Sequence, residues 1–245
     1  MRVLLTLQYL GTSYAGWQSQ ENALAVQQVV ETALAGMCGQ PVRVTGASRT
    51  DAGVHAEDQK AHFDLPIAIP FRGLLLGLND LLPRDVRAIE AREVDPEFHA
   101  RFRAVSKTYR YQIWNAEIAD VFRSQTWTQV RAPLDVGLMV QASRPLVGPH
   151  DFRSYTVADP EVESTERAID AIELKRLGAA VTMRISAPGF LRYMVRRIAG
   201  QLIEIGRGKL PVEATAEALG PRFAEARWTA PPEGLVLERV RYEWD

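Results

Sequence analysis

The segment VLLTLQYLGTSYAGW, residues 3–17, begins the pattern from which the fold is predicted. Residues 3–9 alternate and favour a β-strand, and the two glycines that follow, at 11 and 16, are typical of a loop. A helix is predicted next, capped by Asn22, with apolar residues at helical spacing and Gly39 beyond its end. Three further extended segments are predicted at 42–45, 59–65 and 86–94. A second helix is predicted at 70–82, between the last two of them.

The second part of the chain repeats this order of elements without repeating the sequence. Strands are predicted at 109–114, 168–175, 180–186 and 235–244. Helices are predicted at 134–146, from Phe190 to about Ile205, and, as a short helix, after Pro211. Leu177 and Gly178 are typical of a hairpin turn between two of the strands. Two β-α-β-β-α-β units predict an α+β fold of two ferredoxin-like halves, 1–104 and 105–245, with mainly antiparallel sheets. Because no Ser-, Gly- or Pro-rich linker separates the halves, we expect a central cleft between them.

Length and composition exclude several classes of protein. The chain has 245 residues, of which 47% are hydrophobic and 24% charged, so it is neither disordered nor collagen-like. Its lone cysteine excludes an intrachain disulfide and a cysteine-based zinc site. Because no segment approaches the roughly 20 apolar residues of a membrane span, and the first residues resemble a strand, we expect a cytoplasmic protein without membrane association.

The formal charge is -1, but basic residues are clustered. Between Lys175 and Lys209 there are eight basic residues and one acidic residue, Glu204. A second cluster interleaves basic and aromatic residues: Phe98, Arg101, Phe102, Arg103, Lys107, Tyr109, Arg110, Tyr111 and Trp114. Basic groups pair with phosphates while rings stack on unpaired bases, so the second cluster suits RNA, although alone it is equally typical of a solvated strand face. Two such clusters in a nearly neutral protein favour a polyanionic partner.

The segment GASRTDAGVH, residues 46–55, places a carboxylate in a predicted loop between strands. If the segment is extended, Arg49 and Asp51 project to the same side, and Gly53 allows a tight bend or a close approach to a ligand. A nucleophilic carboxylate must be ionised, which a nearby guanidinium favours. Spacing alone favours an ordinary turn with a surface salt bridge over a catalytic carboxylate.

This segment, together with QKAHF at 59–63, closely resembles the signature of the tRNA pseudouridine synthase A (TruA) family. Further motifs match in the same order along nearly the whole chain: YLGTSYAGWQ at 9–18, FHARF at 98–102, KTYRY at 107–111, DFRS at 151–154, FLRYMVR at 190–196 and PEGL at 232–235. Seven collinear motifs make coincidence improbable. The chain departs from the family pattern at Ser48, where the family more often has glycine, and in the residues after Leu10.

The resemblance implies an isomerase that converts uridine to pseudouridine in the anticodon arm of tRNA, at tRNA positions 38 to 40. It implies no cofactor and no metal, and a homodimer that holds the anticodon arm. Asp51 would be the catalytic aspartate, attacking ribose C1′ or uracil C6, or assisting glycal formation. Tyr111 would stack on the base and relay a proton, and Arg196 would pair with Asp51.

The resemblance and the charge pattern together give a set of expected substrate-binding residues. They are Arg49, Thr50, His55, Arg101, Arg110 and Arg192. Arg49 would also help to extrude the target base, because a stacked uridine must leave the stack to be reached. On the predicted helix from Phe190, Arg192 and Arg196 lie one turn apart on one face, which Gly200 leaves uncrowded.

Two alternatives come from other functional classes. Asp51, His55, Asp58, His62 and Asp64 are all capable of binding metal, which would suit a metal-dependent phosphohydrolase if they converged on one point. A non-catalytic RNA-binding protein would also explain the arginines and aromatic residues.

Overall fold

The computed structural model describes residues 1–157, 162–220 and 228–245, and the chain divides into two compact units. Unit 1 comprises Met1–Val105 and Leu237–Asp245, and unit 2 comprises Ser106–Val236. The predicted boundary at 104/105 lies one residue from the observed one. Residues 237–245, predicted in the C-terminal half, belong instead to unit 1, where the chain end joins the sheet next to the strand that contains Asp58.

The described residues form strands and helices of ordinary length. The strands are β1 (Arg2–Tyr9), β2 (Thr45–Gly46), β3 (His55–Asp64), β4 (Val86–Val94), β5 (Ser106–Trp114), β6 (Thr128–Gln129), β7 (Gly148–Asp151), β8 (Glu166–Ile169), β9 (Ala171–Leu177), β10 (Ala180–Ala187) and β11 (Leu235–Arg241). The α-helices are α1 (Val26–Cys38), α2 (Phe71–Leu81), α3 (Val136–Ser143), α4 (Met194–Gly206) and α5 (Ala214–Ala218). Short 3-10 helices lie at Gly11–Ser13, Arg144–Leu146, Arg153–Tyr155 and Pro232–Gly234.

Unit 1 is built on a sheet with the strand order β4-β1-β3-β11. Strand β1 pairs antiparallel with both β3 and β4, so that Leu5 lies opposite Ala61 on one side and Ala91 on the other. Residues 3–7 are all buried, so both faces of β1 are covered over this length. The helices α1 and α2 pack against each other, and α2 packs against β4.

Unit 2 contains the antiparallel strands β5, β10 and β9 in that order, with β6 added parallel to β5 and a separate antiparallel pair of β7 and β8. Strands β9 and β10 form the predicted hairpin, in which Gly178 adopts a φ of 59°. Along β5, Tyr109, Tyr111 and Ile113 face the buried side. Helix α4 packs against α3 and β5.

The predicted α+β class with mainly antiparallel sheets is confirmed, and so is the β-α-β-β-α-β order of elements in the first part of the chain. Two predicted helix starts are wrong. Helix α1 begins at Val26 rather than after Asn22, because its first N–H groups donate to the carbonyls of Gly16 and Trp17 instead of to a capping side chain. The predicted strand at 168–175 is two strands, β8 and β9.

Helix α4 begins at Met194 rather than Phe190. Tyr193, directly before it, has a φ of 62°, which lies in the left-handed region and cannot continue an α-helix. Within the described part of the chain, no helix is both long and apolar enough to cross a membrane.

Candidate functional site

Asp51 opens a tight turn in unit 1. Its carbonyl oxygen accepts the N–H of Val54 at 3.1 Å, and Gly53 between them has a φ of 79°. A positive φ at the third position of such a turn is typical of type II and favours glycine. The half-buried Asp51 is therefore the first residue of a turn, residues 51–54, whose backbone is fixed by sequence.

The segment of residues 10–17, here called the glycine loop, holds the Asp51 turn in place by backbone hydrogen bonds. The N–H of Trp17 donates to the carbonyl of Thr50 at 3.0 Å, and the N–H of Gly53 donates to the carbonyl of Tyr14 at 3.2 Å. Because these bonds lie on both sides of Asp51 along the chain, the glycine loop and the Asp51 turn are held together.

The two glycines of this loop are needed for the close approach. A Cβ on Gly11 would lie 2.0 Å from the carbonyl oxygen of Val54, and a Cβ on Gly16 would lie 2.5 Å from that of Thr50. Gly16 also has a φ of 93°, which disfavours other residues. The two glycines are therefore needed for the contact with residues 50–54 as well as for the shape of the loop.

Thr50 and His55, which are expected to bind substrate, are buried and contact other parts of unit 1. The Oγ1 atom of Thr50 lies 2.8 Å from the phenolic oxygen of Tyr9. Nδ1 of His55 accepts the N–H of Gly11 at 2.9 Å, and the residue is 2% exposed. Both side chains thus hold the backbone around Asp51.

Gln59 is a positioning residue to which the sequence analysis gave no role. It is fully buried on β3; its Oε1 accepts the N–H of Ser48 at 3.2 Å and its Nε2 donates to the carbonyl of Ser48 at 2.7 Å. The same Nε2 lies 3.4 Å from the phenolic oxygen of Tyr9. Because the bonds to Ser48 use its backbone, serine in place of glycine leaves them intact. The available signal was the position of Gln59 at the start of the segment QKAHF, residues 59–63.

Arg49 and Arg101, both exposed, line one pocket of unit 1 together with Phe102. The structure therefore brings together two of the arginines that the sequence analysis assigned to substrate binding. Asp51 does not line this pocket.

Tyr111 lies on β5 of unit 2 and is fully buried. Its hydroxyl donates to the carbonyl of Pro231 at 2.9 Å and lies 2.7 Å from Oγ1 of Thr128. Burial raises the pKa of Tyr111 well above its usual value; the hydrogen bond with Thr128 and the charge of Arg196 oppose this shift. The phenol is thus protonated and its ring is covered in this conformation.

Arg196 lies on α4, beside the strained residue Tyr193. The guanidinium carbons of Arg192 and Arg196 lie 5.1 and 5.3 Å from the centre of the Tyr193 ring. Arg192 is exposed, whereas Arg196 is half-buried and its Nε donates to the carbonyl of Ala230 at 2.8 Å. The role of Tyr193 could not be predicted, because nothing in the sequence indicates its left-handed backbone.

Gly200, expected to leave the arginine face of this helix uncrowded, makes room for the chain itself. A Cβ there would lie 2.3 Å from the carbonyl oxygen of Trp228. The same segment is joined to the helix through the N–H of Ala230, which donates to the carbonyl of Arg196 at 3.0 Å.

Arg110 is half-buried on β5, directly opposite Arg184 of β10. Its Nε donates to Oε1 of Gln112 at 3.2 Å. The register thus places two arginines side by side on one face of the sheet.

Asp51 and the residues that hold it lie in unit 1, and Tyr111 and Arg196 lie in unit 2.

The metal-capable residues near Asp51 do not converge. Across residues 1–157, 162–220 and 228–245, no three His, Cys, Asp or Glu side chains are grouped so that they could hold one ion. Nδ1 of His62 accepts the N–H of Ala100, and Asp58 pairs with Lys60. The phosphohydrolase alternative therefore has no ligand set in the part of the chain described.

Comparisons with known proteins agree with one another. The family model described as tRNA pseudouridine synthase matches residues 142–243. A Geobacter sulfurreducens protein named tRNA pseudouridine synthase A is 44% identical over 242 residues, covering 98% of this chain and 99% of the relative. Proteins of the same name from Myxococcus xanthus and Bacillus pumilus are each 42% identical, over 98% and 99% of this chain and 92% and 100% of their own length.

Replacing Gly16 by alanine tests the contact between the glycine loop and the Asp51 turn. We expect Gly16→Ala to lower the free energy of unfolding by more than the roughly 1–2 kcal/mol of left-handed strain alone, because its Cβ also collides with Thr50. Gly39→Ala is the matched control, since Gly39 has a φ of 70° but open space around it. Equal losses for the two variants in urea denaturation would contradict the role of the contact.

Proposed function

The chain belongs to the tRNA pseudouridine synthase A family, and we propose that it acts on uridines at positions 38 to 40 in the anticodon arm of tRNA, with Asp51 as the catalytic residue. Membership makes the chain an isomerase that converts uridine to pseudouridine in tRNA. The observation that supports the narrower proposal is the Asp51 turn, which lies in the motif shared with the family and is held by the glycine loop.

The reaction exchanges one glycosidic bond for another. The bond between N1 of uracil and ribose C1′ breaks, the base rotates, and a bond between C5 and C1′ forms. C5 loses a proton and N1 gains one, so the atoms and electrons balance within the nucleoside. Since nothing is oxidised or transferred from a second molecule, a carboxylate and proton movements suffice in the proposed chemistry.

Asp51 is proposed to provide that carboxylate, by attack on C1′ or C6 or by assisting glycal formation. A reacting group gains most when its position is fixed before the substrate arrives. Hydrogen bonds on both sides of Asp51, from Trp17 to Thr50 and from Gly53 to Tyr14, fix its backbone. The buried Gln59 fixes the irregular segment before Asp51 through the backbone of Ser48.

The exposed or half-buried arginines are proposed to contact the RNA backbone. Arg49, two residues before Asp51, suits the extrusion of the target uridine, which has to leave the base stack. Arg101, Arg110 and Arg192 suit phosphate contacts, which orient RNA without reading its sequence. Thr50 and His55, also expected to bind RNA, are proposed to act mainly by positioning, because their polar atoms bond to Tyr9 and Gly11.

Tyr111 and Arg196 are proposed to complete the site from unit 2, with the pairing of Arg196 and Asp51 kept as a prediction. The Tyr111 hydroxyl donates a hydrogen bond to the carbonyl of Pro231. A role for the ring is therefore favoured over a proton relay by the hydroxyl. Contact between that ring and a base requires the residues that cover it to move.

Three further features of the protein are proposed. Each half of the chain is interpreted as ferredoxin-like, with a central cleft. A tRNA substrate is consistent with the expected cytoplasmic location. The working form is proposed to be a homodimer.

Replacing Asp51 by asparagine removes the proposed catalytic carboxylate and keeps the size of the side chain. We expect tritium release from tRNA labelled at uridine C5 to fall by at least about a thousandfold, because one residue supplies the reacting oxygen. Affinity for the tRNA is expected to stay within about threefold. The control is Asp80→Asn, an exposed aspartate on α2, which should retain wild-type turnover. Retained turnover in Asp51→Asn would contradict the assignment.

Replacing Tyr111 by phenylalanine separates the ring from its hydroxyl. We expect turnover to stay within about tenfold, less than the roughly 100-fold or greater effect of losing a proton-transfer group. The free energy of unfolding should fall by about 1–3 kcal/mol, because the carbonyl of Pro231 and the hydroxyl of Thr128 lose a buried partner. A large loss of turnover without a loss of stability would instead indicate a proton relay.

Light scattering tests the proposed assembly. At the protein concentrations used for activity measurements, we expect a mass of twice the 27.4 kDa of one chain. A mass equal to one chain, with full activity at the same concentration, would contradict the homodimer.

A further inference from the structure

A pocket of about 260 Å³ opens in unit 1 beside Arg49. Its lining includes Trp17, Gly46, Arg49, His99, Arg101 and Phe102. The volume lies below the roughly 300–1,000 Å³ typical of pockets for drug-sized ligands, so the space suits one flat group of the size of a base. Because Asp51 does not line it, the pocket differs from the position where the reacting nucleoside meets the carboxylate.

Four aromatic rings form a ladder that leads from the core to one wall of this pocket. The ring of Phe98, which is buried, meets the ring of His62 edge-on at 6.4 Å; the rings of His62 and His99 are 4.8 Å apart. The outermost ring, Phe102, stacks on His99 at 4.3 Å with 29° between the ring planes and is 75% exposed.

The segment of residues 99–102 is held so that the outer ring has a fixed position. Nδ1 of His99 accepts the N–H groups of Arg101 and Phe102 at 3.2 and 3.4 Å. Nδ1 of His62 accepts the N–H of Ala100 at 3.1 Å. An exposed apolar ring is common on protein surfaces, but one fixed by stacking and backbone bonds on a pocket wall is a stacking platform.

The charge of the pocket favours an anion. Arg49 and Arg101 both line it and both are exposed, and the lining that the described residues provide includes no acidic side chain. The guanidinium carbon of Arg101 lies 5.8 Å from the centre of the Phe102 ring, so cation and platform are adjacent. A flat aromatic face beside two cations matches a nucleotide, whose base stacks and whose phosphate pairs with arginine.

We propose that this pocket binds an unpaired nucleotide of the RNA substrate other than the uridine that reacts, with its base stacked on Phe102 and its phosphate contacted by Arg49 and Arg101. The inference rests on the proposed function for its ligand, because a tRNA arm carries unpaired loop nucleotides. Stacking on an aromatic ring tolerates any base, so the pocket supplies affinity and register to substrates of different sequence.

A double-mutant cycle on binding tests the proposal. Wild type and Phe102→Ala are titrated with an anticodon-arm RNA, intact or with one abasic nucleotide moved through the loop. We expect Phe102→Ala to weaken binding of intact RNA by about 5- to 140-fold, the range of one base–aromatic stack. At one loop position other than the reacting uridine, the abasic change should weaken RNA binding to wild type by a similar factor. The same change should not weaken RNA binding to Phe102→Ala any further.

Two variants control for loss of the side chain itself. Phe102→Trp keeps an aromatic platform and is expected to restore most of the affinity. Phe122→Ala removes another exposed phenylalanine, 94% exposed in unit 2, and should bind intact RNA like wild type. Arg101→Ala should reduce the slope of log affinity against log salt by about 0.7–0.9, the value for one phosphate contact.

The outcomes separate this inference from the function on which it rests. Wild type that binds and modifies the RNA while the two changes add at every loop position overturns the pocket assignment alone. Wild type that neither binds nor modifies the RNA overturns the proposed function and the inference with it. Free uridine monophosphate, added at a concentration equal to the RNA dissociation constant, is expected not to displace the RNA. Displacement would instead assign the pocket to a free nucleotide.

Discussion

Backbone packing between the glycine loop and the Asp51 turn is the constraint on which the proposed site depends. The loop is itself held on both sides: Tyr14 donates its phenolic proton to the carboxylate of Asp85 at 2.7 Å, and the carbonyls of Gly16 and Trp17 accept the first N–H groups of helix α1. A shift of the backbone at Asp51 would therefore disturb a helix start and the glycine loop together. Such coupling fixes the backbone from which the Asp51 carboxylate extends.

The accuracy of the predicted fold depended on whether local or distant contacts set each boundary. Strand β4 was predicted at its observed limits, 86–94, because its pattern and the preceding proline are local signals. The start of α1 was missed because carbonyls of the glycine loop take the place of a cap. The start of α4 was missed because Tyr193 turns left-handed, a conformation that sequence patterns do not reveal for a residue with a side chain.

The candidate site divides in the same way. The motif around Asp51 could be found from the sequence because its residues are contiguous. The role of Gln59 could not, since its amide reaches the backbone of Ser48 and the phenol of Tyr9 across the fold. Thr50 and His55 show the converse limit: a motif identifies residues that matter near the site without telling whether they face the substrate or hold the backbone.

The two histidines of the aromatic ladder add rigidity without adding a charge that changes with pH. Each Nδ1 accepts a backbone N–H, which requires the neutral ring. Burial lowers the pKa of His62 to about 4, aided by His99 and Arg2 and opposed by Asp64, and burial also lowers the pKa of His99. At neutral pH the positive charge of the pocket therefore comes from the guanidinium groups of Arg49 and Arg101. Stacking and charge are thus carried by different side chains, so that a ring substitution and an arginine substitution change different properties of RNA binding.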